Sequence, residues 1–351
     1  MSIRVGVVGA AGFAGIEAVR LVLAHPEFEL VAATSNELAG KRIASSYPAF
    51  AGATDLEFST HADAPLTSCD VVFLAVPHTA AIAQAPALVE AGAAVIDLSA
   101  DFRLKDPRVY EQWYGVPHTA TDLLARAAFG LPELFHDELE ALAEERAQGK
   151  GVLVGCAGCY PTATSLAAAP AVRAGLVGGG PVVADAISGV SGAGKKATER
   201  THFCFADENL EAYGVASHRH TPEIEQILGL EGRLVFTPHL APLDRGLLST
   251  VTLPLGKRIT QEELDRIYES FYVDSPLISV LTGGEQPKTS SVAGTCRAHV
   301  AAVLNEHANV IVATGAIDNV GKGAAGQGVQ CANIVLGLPE TMGLEQVAIP
   351  A

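Results

Sequence analysis

Cys159 lies in the stretch Val154-Gly155-Cys156-Ala157-Gly158-Cys159-Tyr160-Pro161-Thr162, and an alanine-rich run follows from Ala163. Pro161 suits a first helical position and the run after it favours helix. The cysteine is therefore expected just before a helix N-terminus, with Gly158 allowing a tight turn in front of it. Unpaired N–H groups and the positive end of the helix dipole stabilise a thiolate there, which makes Cys159 a candidate nucleophile. Two other readings of the same residues stay open. Cys159 fits a small buried hydrophobe, and Cys156-x-x-Cys159 fits a redox pair or half a zinc site. No second Cys-x-x-Cys or paired-histidine motif follows at zinc-finger spacing, so no metal is expected.

A nucleophile of this kind needs a proton donor and a pocket for anions. Ser217-His218-Arg219-His220-Thr221-Pro222-Glu223-Ile224 places two histidines at i and i+2 ahead of a helix starting near Pro222, in a chain with 11 histidines. A metal pair lacks a third ligand nearby, and an acid/base partner for Cys159 fits better, without the spacing saying which histidine acts. Asp97-Leu98-Ser99-Ala100-Asp101-Phe102-Arg103 offers Arg103 as an anion clamp. Ser188-Gly189-Val190-Ser191-Gly192-Ala193-Gly194-Lys195-Lys196 is too rich in Gly and Ser for helix or strand and lacks P-loop spacing. Its N–H groups and lysines suit a phosphate or carboxylate, and a flexible linker is the alternative.

The elements that would position these groups fall into two kinds. Residues 3–8 form a short apolar strand that enters Gly9-Ala10-Ala11-Gly12-Phe13-Ala14-Gly15, and apolar residues at helical spacing then run to His25-Pro26. Strand, glycine turn and helix make the dinucleotide-binding opening, in which backbone N–H groups approach a pyrophosphate. After the next strand, residues 29–34, the chain offers Ser35, Asn36, Lys41 and Arg42, with Glu37 the only acid. A hydroxyl and cations suit a ribose 2′-phosphate, so NADP is the expected cofactor, although Lys41 and Arg42 also fit ordinary surface charges. Strands at 71–76 and 94–98 end in Pro77-His78 and in the Ser99–Arg103 region, where open parallel sheets bind ligands. Beyond Cys159 the pattern changes. Residues 182–187, 234–239 and 247–253 read as strands, Asp244-Arg245-Gly246 as their turn, and Thr260-x-x-Glu263 as a capping box. That half is expected to be α+β with a mostly antiparallel sheet. A strand at 309–316 then leads through glycines 321, 323, 326 and 328 into an apolar helix, a spacing that makes sense where backbone passes close to a cofactor.

With 351 residues, 49% hydrophobic and 18% charged, the chain has room for two domains and a sizeable core. A net charge of −16 argues against nucleic acid and anionic membrane surfaces. Six scattered cysteines fit a reducing compartment, no signal peptide opens the chain, and no run of 18 apolar residues occurs. A cytoplasmic protein is expected.

Gly9-Ala-Ala-Gly12-Phe-Ala-Gly15, Asp97-Leu-Ser-Ala-Asp-Phe-Arg103, Gly130-Leu-Pro-Glu-Leu134, Gly158-Cys159-Tyr-Pro-Thr162, Ser188-Gly-Val-Ser-Gly-Ala-Gly194, His218-Arg-His-Thr-Pro-Glu-Ile224, Arg245-Gly246 and Lys322-Gly-Ala-Ala-Gly-Gln327 occur in one order along nearly the whole chain. This series resembles the N-acetyl-gamma-glutamyl-phosphate reductase family of arginine biosynthesis, within the aspartate-semialdehyde-dehydrogenase-like superfamily. The resemblance implies a Rossmann-type domain (1–155 plus 320–351), a catalytic and oligomerisation domain (156–319), and a homodimer or homotetramer. It implies NADP-dependent reduction of a small acyl phosphate to N-acetylglutamate 5-semialdehyde, with Cys159 forming a thioacyl-enzyme and His220, with His218, as the acid/base region. On the cofactor side it points to Gly9, Gly12, Phe13, Ala14, Gly15, Ser35, Lys41, Pro77, Ser188, Gly189, Ser191, Gly192, Asn319, Lys322 and Gly323. On the substrate side it points to Ser99, Arg103, Gly158, Glu223 and Arg245.

Two positions depart from the family's usual pattern: Cys156-Ala157 where Asn-Pro is commoner, and Asn36 where an arginine is. A reductase of carrier-linked aminoadipyl or glutamyl phosphate in lysine biosynthesis, aspartate-semialdehyde dehydrogenase and a nonenzymatic NADP-binding regulator are the alternatives. The charge disfavours the first, the cysteine and histidine motifs the second, and the joint presence of Cys159, His220 and Arg103 the third.

Overall fold

The computed structural model describes residues 2–350, in two compact units. One comprises the chain up to Ala157 with Ala324–Glu345; the other comprises Gly158–Gly323 with the C-terminal residues.

The first unit is built on a six-stranded parallel sheet: β1 Ile3–Val8, β2 Phe28–Ala33, β3 Val71–Leu74, β4 Ala94–Asp97, β5 Ala128–Gly130 and β6 Val152–Cys156, ordered β2-β1-β3-β4-β6-β5. Every residue of β3, β4 and β6 is buried, as expected for short apolar runs covered on both faces. The order reverses between β1 and β3, which makes the ends of these strands the topological switch point. Helices Phe13–Ala24 and Pro132–Ala147 both pack on Gly326–Val335, whose ten residues are all buried. β3 stops at Leu74, two residues short of the expected end, because the chain turns there toward helix Ala81–Glu90.

The second unit carries a seven-stranded sheet: β7 Val182–Gly189, β8 Glu211–Ala212, β9 Leu234–Ala241, β10 Leu247–Pro254, β11 Ile278–Leu281, β12 Ala298–Asn305 and β13 Val310–Ile317, ordered β11-β12-β13-β10-β7-β9-β8. Four pairings are antiparallel; β7–β9 and β11–β12 are parallel. Each parallel pair is joined by a long connection, as parallel pairing requires. In β10, buried Leu247, Ser249, Val251 and Leu253 alternate with partly exposed residues. Helix Cys159–Arg173 covers the sheet at β10 and β13, and every residue from Tyr160 to Ala171 is buried.

Three local expectations are corrected. The helix begins at Cys159, so Pro161 occupies its third position, where the missing N–H is still one with no intrahelical acceptor. The Gly/Ser-rich stretch is partly regular: β7 runs to Gly189 and Val190–Ala193 form a 3₁₀ turn, because Gly189 and Val190 donate to the carbonyls of Gly246 and Leu243. Gly321–Ala325 make a π-helical turn, with Gly323 N–H reaching the Asp318 carbonyl 2.8 Å away, before the α-helix starts at Gly326. Among the described residues no helix is long and apolar enough to cross a membrane.

Candidate active site

Cys159 is the first residue of its helix and is partly exposed, while Cys156 and Tyr160 are buried. The turn before it is held from below. Gly158 N–H donates to Glu223 Oε1 (2.8 Å), and Glu223 is 1% exposed in the first turn of helix Thr221–Leu228. Gly323 lies against the cysteine, and a Cβ there would sit 2.7 Å from Cys159 Cβ. Gly323 thus packs directly on the Cys159 backbone and Cβ, where only a residue without a side chain fits.

The two histidines have different surroundings. The His218 ring is boxed by Tyr160, Tyr213 and Phe236, with centroids 5.4–5.5 Å away, and by His220 at 4.8 Å. Its Nδ1 accepts the His220 N–H (3.2 Å), so any ring proton sits on Nε2. Burial, aided by the Arg219 charge, lowers its pKa to about 4, which keeps it neutral near pH 7. His220 directly precedes helix Thr221–Leu228 without a side-chain capping bond, its ring 5.9 Å from that of Tyr160. The Tyr160 hydroxyl donates to the His239 carbonyl (2.9 Å) and receives the Tyr213 hydroxyl (3.1 Å). Burial first, then the charge on Cys159 among smaller effects, raises both phenols, Tyr213 to about 12. Both hydroxyls therefore stay protonated as fixed dipoles beside the thiol.

Arg245, partly exposed, pairs with Asp318 (3.1 Å), which is fully buried and also accepts the N–H groups of Gly294, Val320 and Gly321. Asn319 accepts from Gly246 N–H and donates to Ser191 Oγ, while Ser191 Oγ donates to the Asp244 carbonyl. The Val190–Ala193 turn, the start of β10 and the end of β13 are thereby tied together. Ser188 is buried and bonds Tyr160; Gly189 is buried, Gly192 is exposed, and Lys322 is fully buried.

In the first unit, Gly9 has φ +76°, and a Cβ there would run into the Ala75 carbonyl beyond β3. The turn is thus pressed onto the switch point, and no side chain caps the first N–H groups of helix Phe13–Ala24. Gly12 and Ala14 are partly exposed, Phe13 is exposed, and Gly15 is buried. Tyr47 Oη donates to the Ala11 carbonyl (2.5 Å), fixing the turn from outside. At the end of β2, Ser35 Oγ accepts the Leu38 N–H, and Lys41 is exposed. Thr34 Oγ1 bonds His61 Nδ1 (2.6 Å). Pro77 is exposed beyond β3.

Arg103 is 5% exposed and donates to the carbonyls of Cys156 (2.6 Å) and Leu98 (3.1 Å), tying the end of β4 to the end of β6. Ser99 donates to Asp97 through both N–H and Oγ. Asp97 is fully buried; burial, then the neighbouring Asp101 charge, pushes its carboxyl up to about 7.

The structure thus gathers Cys159, His218, His220, Glu223 and Gly323 around one helix start, and Gly9 to Gly15 with Ser35 along the first two strand ends. It shows Arg103, Asn319 and Asp318 chiefly as braces of the backbone. Sequence reasoning missed Tyr213, Tyr47, His61 and Asp101. Single tyrosines and histidines in loops carry no spacing signal; Asp101 was visible inside its motif but was overshadowed by Arg103.

Residues 4–142 match the family model described as the NAD binding domain of semialdehyde dehydrogenase, and residues 159–319 match its dimerisation domain. A protein of Janthinobacterium sp. (strain Marseille) named N-acetyl-gamma-glutamyl-phosphate reductase is 43% identical over 351 residues, covering 99% of each chain. One of the same name from Symbiobacterium thermophilum is 45% identical, covering 98% of each. Among solved structures, aspartate semialdehyde dehydrogenase II of Vibrio cholerae superposes with a TM-score of 0.71 over 96% of this chain and 99% of that one; at 16% identity this shows a shared fold.

Proposed function

The chain belongs to the N-acetyl-gamma-glutamyl-phosphate reductase family, and on that premise we propose that it reduces N-acetyl-gamma-glutamyl phosphate to N-acetylglutamate 5-semialdehyde with release of phosphate. The observation that carries this reading is a cysteine at the first position of a 15-residue helix, packed against a glycine that admits no side chain, with two histidine rings against the tyrosine that follows it. Cys159 sulfur attacks the acyl carbonyl, the bond to the phosphate oxygen breaks, and a thioester remains on the enzyme. NADPH, when bound, supplies the hydride that reduces this thioester. Expulsion of the Cys159 thiolate from the reduced, alkoxide-level adduct would release the aldehyde, and a histidine beside the helix start would hold the proton that the thiol gave up on attack. His220 is assigned the proton transfer, and His218 orients it by accepting the His220 backbone N–H. Glu223 fixes the Gly158 turn, and Arg245, steadied by Asp318, faces the substrate's anionic groups.

The glycine turn from Gly9 to Gly15, with Phe13 and Ala14, takes the pyrophosphate. Ser35 and Lys41 take the 2′-phosphate, and Pro77 borders the same site. Ser188, Gly189, Ser191, Gly192, Asn319, Lys322 and Gly323 support the nicotinamide side; Ser99 and Arg103 shape the substrate side. Residues 1–155 with 320–351 bind cofactor, and 156–319 carry catalysis and self-association in a cytoplasmic homodimer or homotetramer. The relatives' shared name favours this reading over the carrier-linked and nonenzymatic ones.

The reaction run backwards tests it. Purified protein, N-acetylglutamate semialdehyde, phosphate and NADP are expected to give phosphate-dependent absorbance of NADPH. Cys159→Ser is expected to abolish the signal while retaining the fold and NADP binding; substantial residual turnover would overturn the nucleophile. Turnover only with aspartate semialdehyde or a carrier-linked aldehyde would move the substrate.

A further inference from the structure

Asp101 is fully buried, and its carboxylate gathers four donors. Oδ1 accepts the Thr79 N–H (2.7 Å) and the Tyr110 hydroxyl (2.8 Å); Oδ2 accepts the N–H groups of Ala81 (2.9 Å) and Ile82 (3.3 Å). Helix Ala81–Glu90 has no cap of its own, since Ala80 offers no side-chain acceptor. A residue about twenty positions downstream supplies one, and its negative charge suits the positive helix end.

The same carboxylate holds Thr79 at φ +75°, a left-handed conformation costly for a β-branched residue. Thr79 belongs to the turn at residues 77–80, which leaves β3 beside the glycine turn that Gly9 presses against Ala75. The other side of this turn is held by the His78 ring edge-on to Tyr114 (5.6 Å), which stacks on Tyr110 (4.7 Å). The His118 ring bonds the Asp101 carbonyl (2.8 Å), so the acid cannot swing away.

We propose that Asp101 is a positioning residue for the dinucleotide: it holds the 77–80 turn in a strained shape that borders the binding turn at the switch point between β1 and β3. The inference rests on the reading of this unit as the NADP site. A strained turn fixed by one buried acid is pre-organised, so its release should weaken cofactor binding and leave the chemistry at Cys159 alone.

The test measures NADPH Kd by fluorescence, and KM and kcat in the acyl-phosphate reaction. Asp101→Asn sets an NH₂ against a backbone N–H and is expected to raise NADPH Kd about tenfold, with kcat at saturating NADPH and the acyl-phosphate KM within about twofold. Adding Thr79→Gly, which adopts the positive φ without strain, is expected to recover most of the affinity. Tyr110→Phe removes one of four donors, is expected to fold, and should raise NADPH Kd about two- to threefold. An unchanged Kd in folded Asp101→Asn or in Tyr110→Phe, or a fall in kcat with Kd unchanged, would overturn the proposal. Failure of the wild-type protein to bind NADPH would instead overturn the NADP reading on which it rests.

Discussion

Gly323 and Cys156 separate what this site demands of single residues from what it tolerates. At Gly323 the obstacle is steric. A methyl group would lie 2.7 Å from Cys159 Cβ, too close for two non-bonded carbon atoms, and the neighbour is a helix start. Gly323→Ala is therefore expected to shift the thiol and lower kcat/KM about tenfold or more in steady-state kinetics. At Cys156 the thiol is buried, packed beside Gly130 in the β5–β6 pair, and no disulfide occurs among the described residues. Cys156→Ala should cost ~1 kcal/mol of stability through a small cavity and leave kcat/KM within about twofold. A large loss of turnover in that variant would make the two cysteines a functional pair.

Two helix starts are set by acidic residues from elsewhere in the chain, Asp101 at helix Ala81–Glu90 and Glu223 ahead of helix Cys159–Arg173. Glu223 in helix Thr221–Leu228 fixes the turn ahead of helix Cys159–Arg173. Removing its carboxylate leaves the Gly158 N–H buried without that acceptor, at about 1–3 kcal/mol. Glu223→Ala is accordingly expected to lower both Tm and kcat, while Glu223→Gln, which keeps an acceptor oxygen, recovers most of each. Equal turnover in the two variants would show that the hydrogen bond does not position Cys159. The capping box at Thr260 and Glu263, by contrast, is local and was legible in the sequence, because both partners lie within one turn.

At the scale of the whole molecule, two buried groups link stability to pH with opposite signs. His218, lowered to about 4 by burial and by Arg219, binds its proton more readily when unfolded. Its contribution is fully present above about pH 6.5 and is lost as pH falls toward 4. Asp97, raised to about 7, binds its proton more readily when folded. Its contribution is present below the ordinary carboxylate range and is lost as pH rises through 7. Asp97→Asn keeps groups able to bond Ser99 and removes the charge, so its Tm advantage over wild type should be larger at pH 8 than at pH 6, by about 2–4 °C. An equal difference at both values would mean that the carboxyl is already neutral, or already ionised, across the range.

The amino-acid sequence by itself determined the elements whose signals are local. The glycine turn after β1, the helix after Cys159 and the histidines before Thr221 are each written within a few residues, where periodicity, turn chemistry and capping act. It also carried the family, through motifs in a fixed order. Tertiary structure decided what depends on groups far apart in the chain: that Arg103 braces two strand ends, that Asp101 caps a helix twenty residues upstream, and that His218 is boxed by Tyr160, Tyr213 and Phe236. The two parallel pairings in the second sheet belong there too, since strand order is set by packing and not by the strands' own residues. Burial and partnership give an arginine, an aspartate or a histidine its role, and neither is encoded within reach of the residue itself.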